Sequence, residues 1–138
     1  MSHNRLSGHI TSLEMLEQLR SVDVNDNRFS GSISKGILAL PHLNQPNVSF
    51  NQLGAIEVNK LSWEWVPLQI LDAQGNRLQG HLPVKLVHFG SVEVINLAYG
   101  GLTGRIPMTY GQRLRRPWRT LFLDDNFLTG CLPLPPVQ

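Results

Sequence analysis

The chain has a single cysteine, Cys131, in 138 residues, so no internal disulfide can staple it and its stability has to come from packing. It has no run of about 18 apolar residues, which excludes a helical membrane span. Its first residues, Met1-Ser2-His3-Asn4-Arg5, lack the apolar core of a secretory leader. No glycine motif of the Walker or dinucleotide kind is present, so nucleotide chemistry has no foothold. Charge is sparse: 16% of residues are charged and the net charge is +2, too little by itself to imply nucleic acid as a partner. Hydrophobic residues make up 41%, which argues for one folded domain and against disorder.

What the chain does have is a ruler. With Asn126 as zero, Leu121, Leu123 and Leu128 fall at minus 5, minus 3 and plus 2, followed by Gly130 and Leu132-Pro133. The same ruler fits at Asn4, Asn27, Asn51, Asn76 and Gly100, in steps of 23, 24, 25, 24 and 26 residues. At minus 8, minus 5 and minus 3 stand Leu19, Val22, Val24; Leu43, Pro46, Val48; Leu68, Leu71, Ala73; Val92, Ile95, Leu97; and Trp118, Leu121, Leu123. Leu16, Leu40, Trp65 and Phe89 extend it to minus 11. Such a period is the mark of a solenoid in which each turn buries its apolar residues against the next.

The continuations Phe29-Ser30-Gly31-Ser32-Ile33, Leu102-Thr103-Gly104-Arg105-Ile106-Pro107 and Leu128-Thr129-Gly130-Cys131-Leu132-Pro133 resemble the plant-type leucine-rich repeat subfamily with its Ser-Gly-x-Ile-Pro turn. The closing Gly-Cys-Leu-Pro is also similar to the surface-antigen repeats of kinetoplastid parasites. The resemblance implies an α/β solenoid with one short parallel strand per repeat and a convex side that is mostly irregular or 3-10. It implies a repeat domain over residues 1–133, with about five full repeats after a partial one, and a proline-rich tail over 134–138. Extracellular or cell-surface placement follows from the resemblance alone; terminal caps in such relatives often carry paired cysteines, so Cys131 is either half of such a pair or a free thiol.

Alternation along a strand puts minus 5 and minus 3 in the core and minus 6, minus 4 and minus 2 on the concave face. The columns are Ser21, Gln45, Ile70, Val94, Thr120; then Asp23, Asn47, Asp72, Asn96, Phe122; then Asn25, Ser49, Gln74, Ala98, Asp124. Asp26, Phe50, Gly75, Tyr99 and Asp125 stand just before the ladder position. A polar sheet whose apolar residues gather in its later repeats suits a protein or peptide ligand, with Asp23, Asn47, Ile70, Asp72, Val94, Asn96, Tyr99, Thr120, Phe122 and Asp124 as its candidate contacts.

Three irregularities are expected. Pro46 and the aberrant Leu53-Gly54-Ala55-Ile56-Glu57 turn disturb the stretch 44–66, Trp63 falls outside the apolar register, and Gly100 removes one ladder amide. Arg113, Arg115, Arg116 and Arg119 flank Trp118 in a basic loop that suits an acidic protein surface, or a solvated loop tethered to Asp124 and Asp125. Asn47-Val48-Ser49 is a glycosylation acceptor pattern.

Catalysis is not expected. Asp23 and Asp72 would lie about 9.6 Å apart across two strands, with no third group or pocket implied. His9 and His81 share a column but sit roughly 14 Å apart, too far for one metal, and no cofactor is implied. The first turn lacks the strand residues that should precede it and shows no N-terminal cap, so the expectation is either a piece of a longer repeat protein or an open end on which a partner or a second copy packs. The reading is a non-catalytic binding module of a larger recognition protein; the alternative is a structural subunit of a multi-protein or ribonucleoprotein assembly.

Overall fold

The computed structural model describes residues 4–57, 66–88, 91–110 and 119–131. Each of repeats two to six contributes one strand to a five-stranded parallel sheet, ordered β2 (Ser21–Asp23), β4 (Gln45–Asn47), β6 (Ile70–Asp72), β7 (Val94–Asn96) and β9 (Thr120–Phe122). Most repeats add a second strand after the ladder position, forming a lateral sheet in two pieces: β1 (Ser7–His9), β3 (Arg28–Ile33) and β5 (Gln52–Ile56), then β8 (Thr103–Arg105) with β10 (Phe127–Thr129). The convex side carries 3-10 turns at Ile10–Met15, Val84–His88 and Met108–Tyr110 and one turn of α-helix, α1, at Lys35–Leu38. This is a leucine-rich repeat solenoid.

The core is the ruler made solid. Leu53, Leu71, Leu86, Ile95 and Leu97 are completely enclosed, and Pro46 and Ala73 fill their core slots despite being poor leucine substitutes. Each enclosed leucine or isoleucine removes enough apolar surface to contribute about 1.5–3 kcal/mol. The terminal turns are thinner: Leu121, Leu123 and Leu128 are only partly buried, and Leu16, placed in the core by the ruler, is half exposed, as is Leu6 to a similar degree.

The asparagines at zero knit the turns together. Asn51 Nδ2 donates to the carbonyls of Val24, Val48 and Ser49 while its Oδ1 accepts the Phe29 N–H. Asn76 repeats the pattern one turn on, toward Val48, Ala73 and Gln74, and accepts the Leu53 N–H. Buried backbone groups that no strand could reach are thereby satisfied. Gly100 has no amide to offer, and its own N–H and that of Leu102 go to Asn126 Oδ1.

The expected disturbance in repeat three is local and has two causes. Val48 donates to Asp72, so the next donor back along β4 would face Ile70; Pro46 has none. Strands β4 and β6 are accordingly registered only at Asn47 and Asp72, whereas β2 and β4 share three pairs. In β5, Gly54 is an extra residue that shifts the register with β3 between Gly31 and Ser32. Beyond β5 the lateral sheet lapses to a single bridge, His81 with Thr103.

The glycine at plus 4 has a stacking reason. Gly104 has φ +80, and a Cβ there would lie 2.1 Å from Nδ1 of His81, the side chain of the preceding repeat that crosses it. Only glycine fits both the backbone and the neighbour. His9 crosses Gly31 in the same way, so these histidines pack along the lateral sheet.

Candidate functional site

The register aligns the concave columns as the ruler requires: Ser21 with Gln45, Ile70 with Val94 and Thr120, and Asp72 with Asn96 and Phe122. The columns differ in what their side chains do. In the second, Asp23, Asn47, Asp72 and Asn96 each turn a side-chain oxygen back to the N–H two residues on, at 3.2, 3.2, 3.3 and 3.1 Å. These are Asx turns that end each strand, and they account for the aspartates and asparagines there without a ligand.

Asn47 is further committed, since its Oδ1 also accepts the Ser49 hydroxyl at 2.7 Å, and Ser49 is buried. The glycosylation pattern is thus folded onto itself. Phe122 occupies the same column in repeat six, has no such polar oxygen, and is 45% exposed.

The rim column is backbone-strained. Asp26, Phe50, Tyr99 and Asp125 have φ between 52 and 54 and Gly75 has φ +68, so this position is left-handed in every repeat where it is described. Glycine and aspartate suit that region; a phenylalanine or a tyrosine costs on the order of 1–2 kcal/mol there. Neither aromatic is buried in return: Phe50 is 47% and Tyr99 54% exposed. Phe50 leans across Gly75, where a Cβ would come within 2.4 Å of its ring. Tyr99 leans the same way, toward Asp125; that hydrogen bond and then the Asp125 charge push its phenol above the ordinary range. The left-handed backbone belongs to the position, since Asp26, Gly75 and Asp125 share it; Phe50 and Tyr99 differ in placing an exposed ring there. Phe50 was not among the sequence-derived candidates, because its left-handed conformation is visible only in the backbone.

Ile70 and Val94 stand side by side on the sheet, both partly exposed, with Thr120 next to Val94. Together with Tyr99, Phe122 and the exposed Asp124 they form an apolar strip edged by acid in the later repeats. Asp23 and Asn47 lie at the other end of the sheet.

Of the basic loop, Arg119 is described; Arg113, Arg115, Arg116 and Trp118 lie outside the described residues, as do Trp63, Trp65, Phe89 and the 134–138 tail. Arg119 is not tethered to Asp124 or Asp125. It reaches back to Glu93, 3.7 Å away and well exposed, because both residues enter adjacent strands at the same level. Among the described residues, no group of three histidine, cysteine or acidic side chains could hold a metal ion, and no helix is long and apolar enough to cross a membrane.

No protein-family model matches the chain. It is similar to receptor-like protein 41 of Arabidopsis thaliana, with 28% identity over 116 residues, covering 82% of this chain and 12% of that protein. Among solved structures it superposes on the Arabidopsis receptor kinase HAESA, solved with the peptide hormone IDA and the co-receptor SERK1, at a TM-score of 0.83 and 29% identity, covering 96% of this chain and 22% of that one. The plant peptide hormone receptor RGFR1, solved with RGF2, gives 0.83 and 30%, covering 96% and 21%. The chain thus spans about an eighth of the length of the curated relatives it matches.

Proposed function

We propose that the chain is a non-catalytic recognition segment that holds a peptide or an extended protein segment on the later repeats of its concave face. The observation that carries this reading is the pair of exposed, strained or unpartnered aromatics, Tyr99 and Phe122, beside Ile70 and Val94. Folding asks for none of these side chains in that position. The peptide complexes of HAESA and RGFR1 support the same class of ligand. Asp124 and Thr120 complete the strip; Asp23, Asn47, Asp72 and Asn96 shape the strand ends and contribute contacts only secondarily. The plant-type turn and the repeat domain over residues 1–133 are part of this reading, supported by the lateral strands and the glycine at plus 4, and the proline-rich 134–138 is taken as its tail from the sequence alone. The kinetoplastid likeness rests on Gly-Cys-Leu-Pro alone. A glycan on Asn47, if attached, would be added before the sequon folds.

The test is selection of binders from a displayed random-peptide library, followed by affinity measurement. Selected peptides should lose tenfold or more in affinity for Tyr99→Ser with Phe122→Ser, a variant that keeps its unfolding midpoint. Equal affinity for that variant, or loss instead on Arg115→Ala with Arg116→Ala, would overturn the reading and favour the assembly subunit.

A further inference from the structure

A cleft lies at the edge of the concave sheet where the chain enters the strands. It is shallow and broadly open to solvent. Pro41 and Pro67 line it. So do Arg20, His42, Asn44, Gln69 and Ser91, and among the described residues no carboxylate does. Every one of these side chains can donate a hydrogen bond: the guanidinium fork of Arg20, two amide groups, a hydroxyl, and a ring N–H of His42 in either protonation state.

The backbone around the cleft adds to this bias. Three of the lining carbonyls are already engaged: Arg20 C=O accepts from Asn44 N–H, Asn44 C=O from Gln69 and Ile70, and Gln69 C=O from Glu93 and Val94. The residues just before the strands form a column of their own: Arg20, Asn44, Gln69, Glu93, Arg119. Its acid, Glu93, faces Arg119 at one end of the column. Arg20, at the other end, forms no ion pair among the described residues.

We propose that this cleft is an anion site that takes an oxyanion group of a ligand, a carboxylate, a phosphate or a sulfate, with Arg20 as the charged contact and Asn44, Gln69, Ser91 and His42 as neutral donors. Charge-assisted donors gathered in one cleft bind such groups more strongly than scattered surface cations do. The proposal does not depend on Tyr99 and Phe122, which stand further along their repeats and in later repeats than Arg20.

The test uses the full chain, with acetate, inorganic phosphate and sulfate titrated separately at constant ionic strength while backbone amide shifts are followed. At least one anion should give saturable shifts centred on Arg20, Asn44 and Gln69, and whichever binds most tightly identifies the source of the group. Arg20→Gln, an exposed position whose change leaves the fold intact, should weaken that binding about tenfold. Unchanged affinity in Arg20→Gln, or linear shifts spread equally over Arg5, Arg28 and Arg77, would overturn the proposal. Loss of peptide binding in the aromatic variant would leave it standing.

Discussion

Repeats two to four and repeats five and six follow the same backbone path with different chemistry on it. In the earlier group an asparagine closes the ladder at Asn27, Asn51 and Asn76, and an Asp or Asn caps each strand end by an Asx turn. In the later group Gly100 leaves a ladder site empty, Phe122 stands where an Asx side chain would, and the leucines of the last turn are only partly buried. The later group keeps Asn96 in an Asx turn and Asn126 in the ladder, so the path survives the loss of two fastenings, at Gly100 and at Phe122, and the second of these positions carries an exposed aromatic. Polar fastenings are denser in the earlier repeats than in the later ones.

The ladder should give the largest effect. Asn76→Ala removes three donated bonds and strands the Leu53 N–H among buried atoms, which costs about 3 kcal/mol and lowers the unfolding midpoint by about 10 °C. Denaturant unfolding of the two chains measures it. A loss below about 1 kcal/mol would mean that the ladder does not distinguish the two groups.

The complementary experiment restores what repeat five lacks. Gly100 is not in the left-handed region, and a Cβ there would sit 3.0 Å from the Leu97 carbonyl and 3.2 Å from Asn126 Oδ1, tight but in the position that Asn76 occupies one repeat earlier. Gly100→Asn should therefore stabilise the chain by about 1 kcal/mol, from reduced freedom of the unfolded chain and an acceptor brought to the preceding turn. Destabilisation would show that repeat five has packed around its glycine.

How much of this was legible follows from what the ruler measures. The solenoid, the strand register and the concave columns could be read because leucine, asparagine and glycine recur for reasons of stacking, and stacking acts at fixed spacing. The consequence of Pro46 was partly legible: a missing donor is certain from the residue, but that it would loosen β4 from β6 and not from β2 depends on which way that donor faces. The Asx column looked like a binding surface because aspartate and asparagine serve ligands and strand ends alike, and only hydrogen-bond geometry separates the two. The left-handed rim and the Arg20 cleft could not be read at all. One is a backbone conformation that aromatic residues seldom adopt, and the other joins residues from four repeats that the ruler treats as spacers.

The smallest effect separates the two duties most directly. Asp72 and Phe122 belong to one column, two strands apart, and the comparison assigns them opposite roles. Asp72→Ala removes the oxygen that accepts the Gln74 N–H at 3.3 Å in a half-exposed turn, so it should cost about 0.5 kcal/mol of stability and leave peptide affinity unchanged. Phe122→Ala takes away an exposed ring that makes little of the core, so its midpoint should hold while selected peptides weaken. If Asp72→Ala lost affinity and Phe122→Ala lost stability, the boundary between fastening and recognition would run along each strand and not between repeats, and the free side chains of the later turns would have to be sought in the core.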